Sequence, residues 1–298
     1  MAIGSNIGWT DATLNGIAGC NDLSSGCKNC YAREMTGRLE AMGQPKYTGL
    51  TVLQGSHRVW TGKINFDEKA LLAPLKRKKP TRYFVNSMSD LFHKNVSDEI
   101  IDKHFAVFAL CPQHQFQILT KRPERQMEYM QSRAKSVEYW ESAARGFGYT
   151  FKWTNLDGKE MSTCPFPLKN VWLGTSTENQ ATADERIPFL LQTPAAVRFI
   201  SAEPLLGEIN IWAFLRGKIR DESLVALRSI PMPGLDWVVV GAESGSEARP
   251  MELDWLLGIV NQCKTAKVPV FVKQDGGLRP GSQGRIPDDI WAIKEFPA

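Results

Sequence analysis

The stretch TRYFVNSMSDLFHKNVSDEIIDKHFAVFALCPQHQFQILT, Thr81 to Thr120, reads as strand, helix, strand. Thr81–Ser87 is a β-branched and aromatic run that ends in small polar residues, and Gln113–Thr120 ends the same way. Between them, Asp98–Leu110 repeats apolar residues at helical spacing. Two strands separated by a helix pair in parallel, because a parallel connection must cross over the sheet.

The same rhythm continues toward the C-terminus. Strands are expected at Asn170–Thr175, Val197–Ser201, Asp236–Gly241 and Val268–Lys273, and helices at Pro123–Ser136, Thr182–Leu191 and Glu252–Lys267. Several strands are almost wholly apolar, as in a parallel sheet covered by helices. Alternation of this kind predicts an α/β fold, either a barrel or an open parallel sheet. Toward the N-terminus, Thr13–Ala18 reads as a first strand and Tyr31–Met42 as a helix stopped by Gly43 and Pro45. Two segments break the rhythm, near 138–168 and 211–234. They read as insertions in a single domain spanning 1–298. The first is rich in aromatics, among them Tyr139, Trp140, Phe147, Tyr149, Phe151 and Trp153, which form either a satellite core or a stacking surface.

Composition limits the function classes. With 298 residues, 43% hydrophobic and 23% charged, the chain is an ordinary globular protein and not a disordered or fibrous one. No run of about 18 apolar residues exists, so no membrane span is expected. No secretory leader is visible at Met1–Trp9, so a reducing cytoplasm is the expected compartment. Residues 1–149 hold 20 Lys and Arg against 14 Asp and Glu, which permits a phosphate-bearing partner or a solvated basic face. The run Lys76–Lys79 precedes a strand and belongs at the opposite end of a barrel from the chemistry.

Six cysteines are too few for a disulfide scaffold, but three crowd into GCNDLSSGCKNCYA, Gly19 to Ala32. Cys20, Cys27 and Cys30 are soft donors suited to zinc or to iron–sulfur iron. A structural zinc site needs a fourth ligand, and His57 is the nearest histidine. Three thiolates on a [4Fe–4S] cluster leave one iron open. The plain alternative is three reduced, buried thiols. Cys111, Cys164 and Cys263 stand alone, and His93 and His114 read as structural.

In a barrel, chemistry gathers where strands end. Here the strands end in Asn86, Ser87, Ser89 and Asp90; in Thr120, Lys121, Arg122 and Arg125; in Thr175, Ser176, Glu178 and Asn179; in Ser201 and Glu203; in Glu243 and Ser244; and in Lys273, Gln274 and Asp275. Some of these residues must simply cap helices, with Asp90 and Ser176 the expected caps. A buried ion pair of Glu203 with Arg198 is the structural reading for that carboxylate.

Taken in order, Gly19–Ala32, FVNSMSDLFH (Phe84–His93), FQILTKRPER (Phe116–Arg125), VWLGTSTEN (Val171–Asn179), RFISAEPLLG (Arg198–Gly207) and VVVGAESG (Val238–Gly245) resemble a phage-encoded family of unassigned function. That family is named after phage gene products thirty-seven and sixty-eight, and it resembles a branch of the radical S-adenosylmethionine (SAM) superfamily. The likeness runs from about Trp9 to Gly277. The superfamily's C-x3-C-x-aromatic-C pattern is altered: the first gap is six residues, Asn29 precedes the last cysteine, and Asn86–Asp90 stands where Gly-Gly-Glu is usual.

The resemblance implies a partial TIM barrel. It implies a [4Fe–4S] cluster on Cys20, Cys27 and Cys30, SAM as cofactor, and an electron donor such as a flavodoxin or ferredoxin. SAM would be cleaved to a 5′-deoxyadenosyl radical. Tyr31, Ser87, Ser89, Asp90, Thr120, Lys121, Ser176, Glu178 and Asn179 are then expected around SAM. Arg122, Ser244, Lys273 and Gln274 are expected on the substrate, and Lys121, Glu203 and Glu243 in catalysis. The implied substrate is a nucleotide or DNA, with isomerisation of an amino-acid adduct on a hypermodified thymidine as the concrete form. The competing readings are a zinc-stabilised nucleic-acid-binding module without catalysis and a partner-recruiting phage protein.

Overall fold

The computed structural model describes residues 7–151, 153–154, 160–161, 165–215 and 233–298. In chain order the elements are β1 (Ala12–Leu14), β2 (Ile17–Ala18), α1 (Tyr31–Ala41), β3 (Thr51–Gln54), β4 (His57–Trp60), β5 (Asn65–Phe66) and α2 (Glu68–Leu71). Then come β6 (Arg82–Val85), α3 (Asp98–Leu110), β7 (Gln115–Thr120), α4 (Pro123–Lys135), α5 (Glu138–Gly146), β8 (Trp153–Thr154) and β9 (Glu160–Met161). The last are β10 (Val171–Ser176), α6 (Gln180–Gln192), β11 (Val197–Ala202), β12 (Trp237–Gly241), α7 (Leu253–Ala266), β13 (Val270–Gln274) and α8 (Asp288–Trp291).

Seven strands form one sheet in the order β1-β6-β7-β10-β11-β12-β13, and every pairing is parallel. The sheet is curled into a half-barrel. Trp9 measures the curl: its ring lies 4.8 Å from Phe84 of β6 and 5.8 Å from Trp237 of β12. Those strands stand four places apart, about 19 Å in a flat sheet. One residue can touch both only across a concave face. Trp172, Phe199, Val239 and Phe271 complete this inner core, and the larger outer core lies beneath the helices.

The strand–helix pattern holds over most of the expected ranges, with α3 matching Asp98–Leu110. The expected first strand divides into β1 and β2, because Asn15 and Gly16 turn the chain so that β2 pairs with β5 instead of the main sheet. Gly16 is required there, since a β-carbon would stand 2.4 Å from His104 Nε2. The caps also differ from expectation. Ser97 accepts from Ile100 N at the start of α3, and Asn179 forms a capping box with Thr182 at the start of α6. Ser176 lies within β10, and Asp90 caps only a turn, accepting from Phe92 N at 2.9 Å.

The aromatic insertion is packed outward. Trp140 is fully buried, stacks on Phe105 at 5.0 Å and donates to Tyr129 Oη at 2.9 Å. Tyr129 in turn donates to Asp102, which also holds Arg133. Phe147 and Phe151 pack on the outer core. Trp140, Phe147 and Phe151 are therefore satellite packing, while Tyr139, with Arg133 4.3 Å over its ring, and Tyr149 are exposed; the Trp153 side chain lies outside the described residues. So do Cys164 and most of 211–234, while Cys111 and Cys263 are buried and free. No described helix is long and apolar enough to cross a membrane.

Candidate functional site

The cysteine loop crosses the C-terminal end of the half-barrel. Gly19, at φ 103°, starts it; a β-carbon there would stand 2.2 Å from Lys63 O. Ser25–Cys27 makes a 3-10 turn, and Cys30 is the N-cap of α1. Cys20, Cys27 and Cys30 all line one cavity of about 250 Å³. They lie close enough that a charge on Cys30 raises Cys20 and a charge on Cys27 raises Cys30. Burial pushes the Cys20 thiol up to about 12 and raises Cys30 as well. A metal bound by these thiols would displace their protons.

Asp90, at the end of the sheet's second strand, is saturated. Its carboxylate accepts from Phe92 N, Thr120 Oγ1 (2.7 Å), Lys121 N (3.1 Å) and Arg122 Nη1 (2.6 Å). Arg122 passes the connection on through Nη2, which donates to Asn21 Oδ1 at 2.9 Å. The His93 Nε2 atom meets the same Asn21 oxygen, while His93 Nδ1 accepts from Asn95 N at 3.1 Å. Burial, helped by the Arg122 charge, lowers His93 to about 4, so the ring is neutral and donates from Nε2.

Glu178, after β10, is fully buried. It accepts from Ser24 Oγ at 2.7 Å and from Arg186 Nη1 at 3.1 Å, and pairs with Lys121. Burial lowers the Lys121 ammonium. Glu243, after β12, accepts from Asn29 Nδ2 at 3.1 Å and from Arg249 Nη2 at 2.7 Å. Burial would raise Glu243, but the bonds from Arg249 and Asn29 outweigh it and hold the carboxyl below its ordinary range. Arg249 Nη1 also donates to Ser25 O at 3.0 Å. The ends of four strands thus clamp the loop at Asn21, Ser24, Ser25 and Asn29.

The clamp gives several expected ligand-binding residues a different task. Asp90, Thr120, Lys121, Arg122 and Glu243 line the cavity, yet their polar atoms are engaged in holding the loop or one another. Glu178, Asn179 and Gln274 are not among the lining residues. Glu178 lies behind the loop and Asn179 caps α6. Gln274 donates to Ala242 O and accepts from Gly281 N.

The cavity keeps other expected residues. Ser87, Ser89, Ser176 and Ser244 lie on its wall, and Tyr31 donates from Oη to Ser87 O at 2.7 Å. Ser89 spends its hydroxyl on Ile17 O. Glu203 and Lys273 form an ion pair at 2.5 Å, each side chain 17% exposed, with no other hydrogen-bond partner among the described residues. Arg198, the expected partner of Glu203, instead donates to Thr193 O. Ile7, Trp9, Phe84 and Leu119 also line this cavity and give it an apolar side.

Among the described residues no group of three or more His, Cys, Asp and Glu side chains is arranged for a single metal ion. His57 is exposed on β4 and lines an outer groove, and His93 is committed to Asn21. The donor set nearest the cavity is therefore the three thiols. Leu23 N donates to Cys27 Sγ at 3.5 Å, the kind of bond that tunes iron–sulfur sites. Three soft donors around one cavity fit a cluster that spreads its thiolates over separate irons and leaves one iron open.

Three residues not expected to bind cofactor or substrate, the strand-end Asn86, the structurally read His93, and Arg249, matter to the site. Asn86, at φ 59°, accepts from Ile17 N through Oδ1 and joins β2 to the end of β6. Arg249 and His93 anchor the loop from far along the chain. Their partners, Ser25 and Asn21, are ordinary loop residues, so no spacing in the sequence pointed to them.

Searches of curated proteins and of solved structures returned no match. The model of one family, described as a protein of unknown function (DUF5131), matches residues 4–289. That match covers nearly the whole half-barrel together with its cysteine loop, and the chain belongs to the DUF5131 family.

Proposed function

We propose that this chain is a radical SAM enzyme, with Cys20, Cys27 and Cys30 holding a [4Fe–4S] cluster and SAM meeting the open iron. The observation that carries the reading is three thiols on one loop, clamped by four strand ends, around one cavity at the C-terminal end of a parallel half-barrel. When bound, the cluster and SAM supply a 5′-deoxyadenosyl radical able to take hydrogen from an unreactive C–H bond.

The protein's own work is positioning and exclusion of water. Asp90, Glu178 and Glu243 hold the loop, and Trp9, Phe84 and Leu119 keep one side of the cavity apolar. Tyr31, Ser87 and Ser176, which line the cavity, would contact SAM. Glu203, Lys273 and Ser244 are placed to contact substrate, and Glu203 and Lys273 are the ionisable pair free to move a proton there. The substrate in this reading is a hypermodified thymidine, and the reaction isomerises its amino-acid adduct. A flavodoxin or ferredoxin supplies the electron.

The test is SAM cleavage. Anaerobically reconstituted protein given a reductant should release 5′-deoxyadenosine. Release should vanish in the Cys20→Ala, Cys27→Ala and Cys30→Ala variants. An iron- and sulfide-replete protein that never cleaves SAM contradicts the reading.

A further inference from the structure

A second, much larger opening lies beside the cavity. It is a groove of about 2710 Å³ enclosed by α1, the β3–β4 hairpin, and the Asn65–Ala70 segment. Small-molecule sites occupy about 300–1,000 Å³, so this groove is sized for part of a macromolecule. Cys30, Tyr31, Ser87, Glu203 and Lys273 line both openings, which makes them continuous. The inner one, at about 250 Å³ and walled by the three thiols, is too small for a length of chain.

The charge in the groove becomes clear once its ion pairs are set aside. Asp67 is paired with Lys46, Glu203 with Lys273, and Glu68 with Lys103. Among the described residues, Lys28, Arg38, Arg58 and Lys69 are left with no carboxylate partner, against the unpaired Glu34 and Glu247. These cations sit on the cysteine loop, α1, β4 and α2 around the groove, with Arg58 also donating to Thr51 Oγ1. The exposed Tyr31 and half-buried Tyr47 lie among them, while Phe66 packs on the outer core. An acidic peptide would satisfy the cations alone. A polynucleotide also uses the aromatic faces, since every base has one.

We infer that this groove binds a single-stranded polynucleotide, with Arg38 and Lys69 on its phosphates and one base brought to the shared mouth of the inner cavity, beside Tyr31 and the Glu203–Lys273 pair. The inference rests on the nucleobase reading above, but its test does not depend on turnover.

The experiment is fluorescence anisotropy of a labelled DNA oligonucleotide with anaerobically reconstituted full-length protein, across a salt series, with iron and sulfide measured on each sample. The wild type should bind at low salt and weaken steeply as salt rises. Removing two phosphate contacts with Arg38→Glu/Lys69→Glu should lower the log–log salt slope by about 1.4 and weaken binding at least roughly tenfold. The control Lys76→Glu/Lys79→Glu, before the N-terminal end of β6, should bind as the wild type does. Three results would overturn the inference: no DNA binding at low salt by cluster-replete protein, equal loss in both double variants, or poly-glutamate displacing DNA as well as unlabelled DNA does. Groove-dependent binding by protein without iron would instead uphold the groove and count against the radical reading.

Discussion

The backbone of Gly26 lies directly over the carboxylate of Glu178: a β-carbon at position 26 would stand 2.5 Å from Oε1. Contacts that close do not form, so the loop carrying Cys27 can seat only because residue 26 has no side chain. Gly26→Ala should therefore lift the loop. Overpacking of this kind costs about 1–3 kcal/mol. The expected outcome is a lower unfolding midpoint together with faster alkylation of Cys27 in the apo protein, and an unchanged alkylation rate would contradict the contact.

Glu178 itself balances two cations, Lys121 and the almost fully buried Arg186. Removing a carboxylate from such a pair leaves buried charge without compensation, at about 3–5 kcal/mol. Glu178→Ala should be strongly destabilised in urea unfolding. Glu178→Gln, which keeps an acceptor for Ser24, should retain more of the loop's protection from alkylation than Glu178→Ala does.

His104 makes folding sensitive to acid. It is fully buried; Nδ1 donates to Ile100 O at 2.7 Å, and Nε2 has no partner where Gly16 packs on it. Burial holds it at about 4, below its ordinary 6.5. A histidine with a lowered folded value contributes stability that is complete above 6.5 and is lost as pH falls toward about 4. Urea unfolding should show that loss, up to about 3 kcal/mol, and His104→Leu should show a flatter profile over the same range. Equal slopes would refute the assignment.

The Glu203–Lys273 pair keeps 17% of each side chain exposed and, among the described residues, is bonded only to itself, so the variants are expected to keep the fold. Glu203→Gln and Lys273→Met should each cost less than the ~3–5 kcal/mol lost when a fully buried pair is broken. Both should keep wild-type iron and sulfide while losing substrate conversion. Loss of iron in either variant would show the pair to be structural.

The architecture was legible in the sequence because apolar periodicity is local. The runs ending at Ser87, Thr120, Thr175 and Gly241 each declared a parallel strand, and the strand ends marked the barrel mouth. The β3–β4 hairpin was missed because Val52 and Leu53 are exposed and its alternation carries little apolar signal. The division between binding and clamping residues was not legible at all. Asp90, Glu178 and Glu243 look like open strand-end carboxylates until Arg122, Arg186 and Arg249 are placed beside them. Those arginines act through contacts between residues whose sequence spacing gives no pairing signal, or through a loop whose path depends on the fold. The cysteines were conspicuous because all three donors lie within eleven residues.

The most direct measurement is iron, acid-labile sulfide and zinc per chain after anaerobic reconstitution, on the wild type and on the Cys20→Ala, Cys27→Ala and Cys30→Ala variants. A three-thiolate [4Fe–4S] site predicts about four irons and four sulfides per chain, falling sharply in each variant. Zinc without sulfide, or full iron and sulfide retained by the three variants, would contradict it.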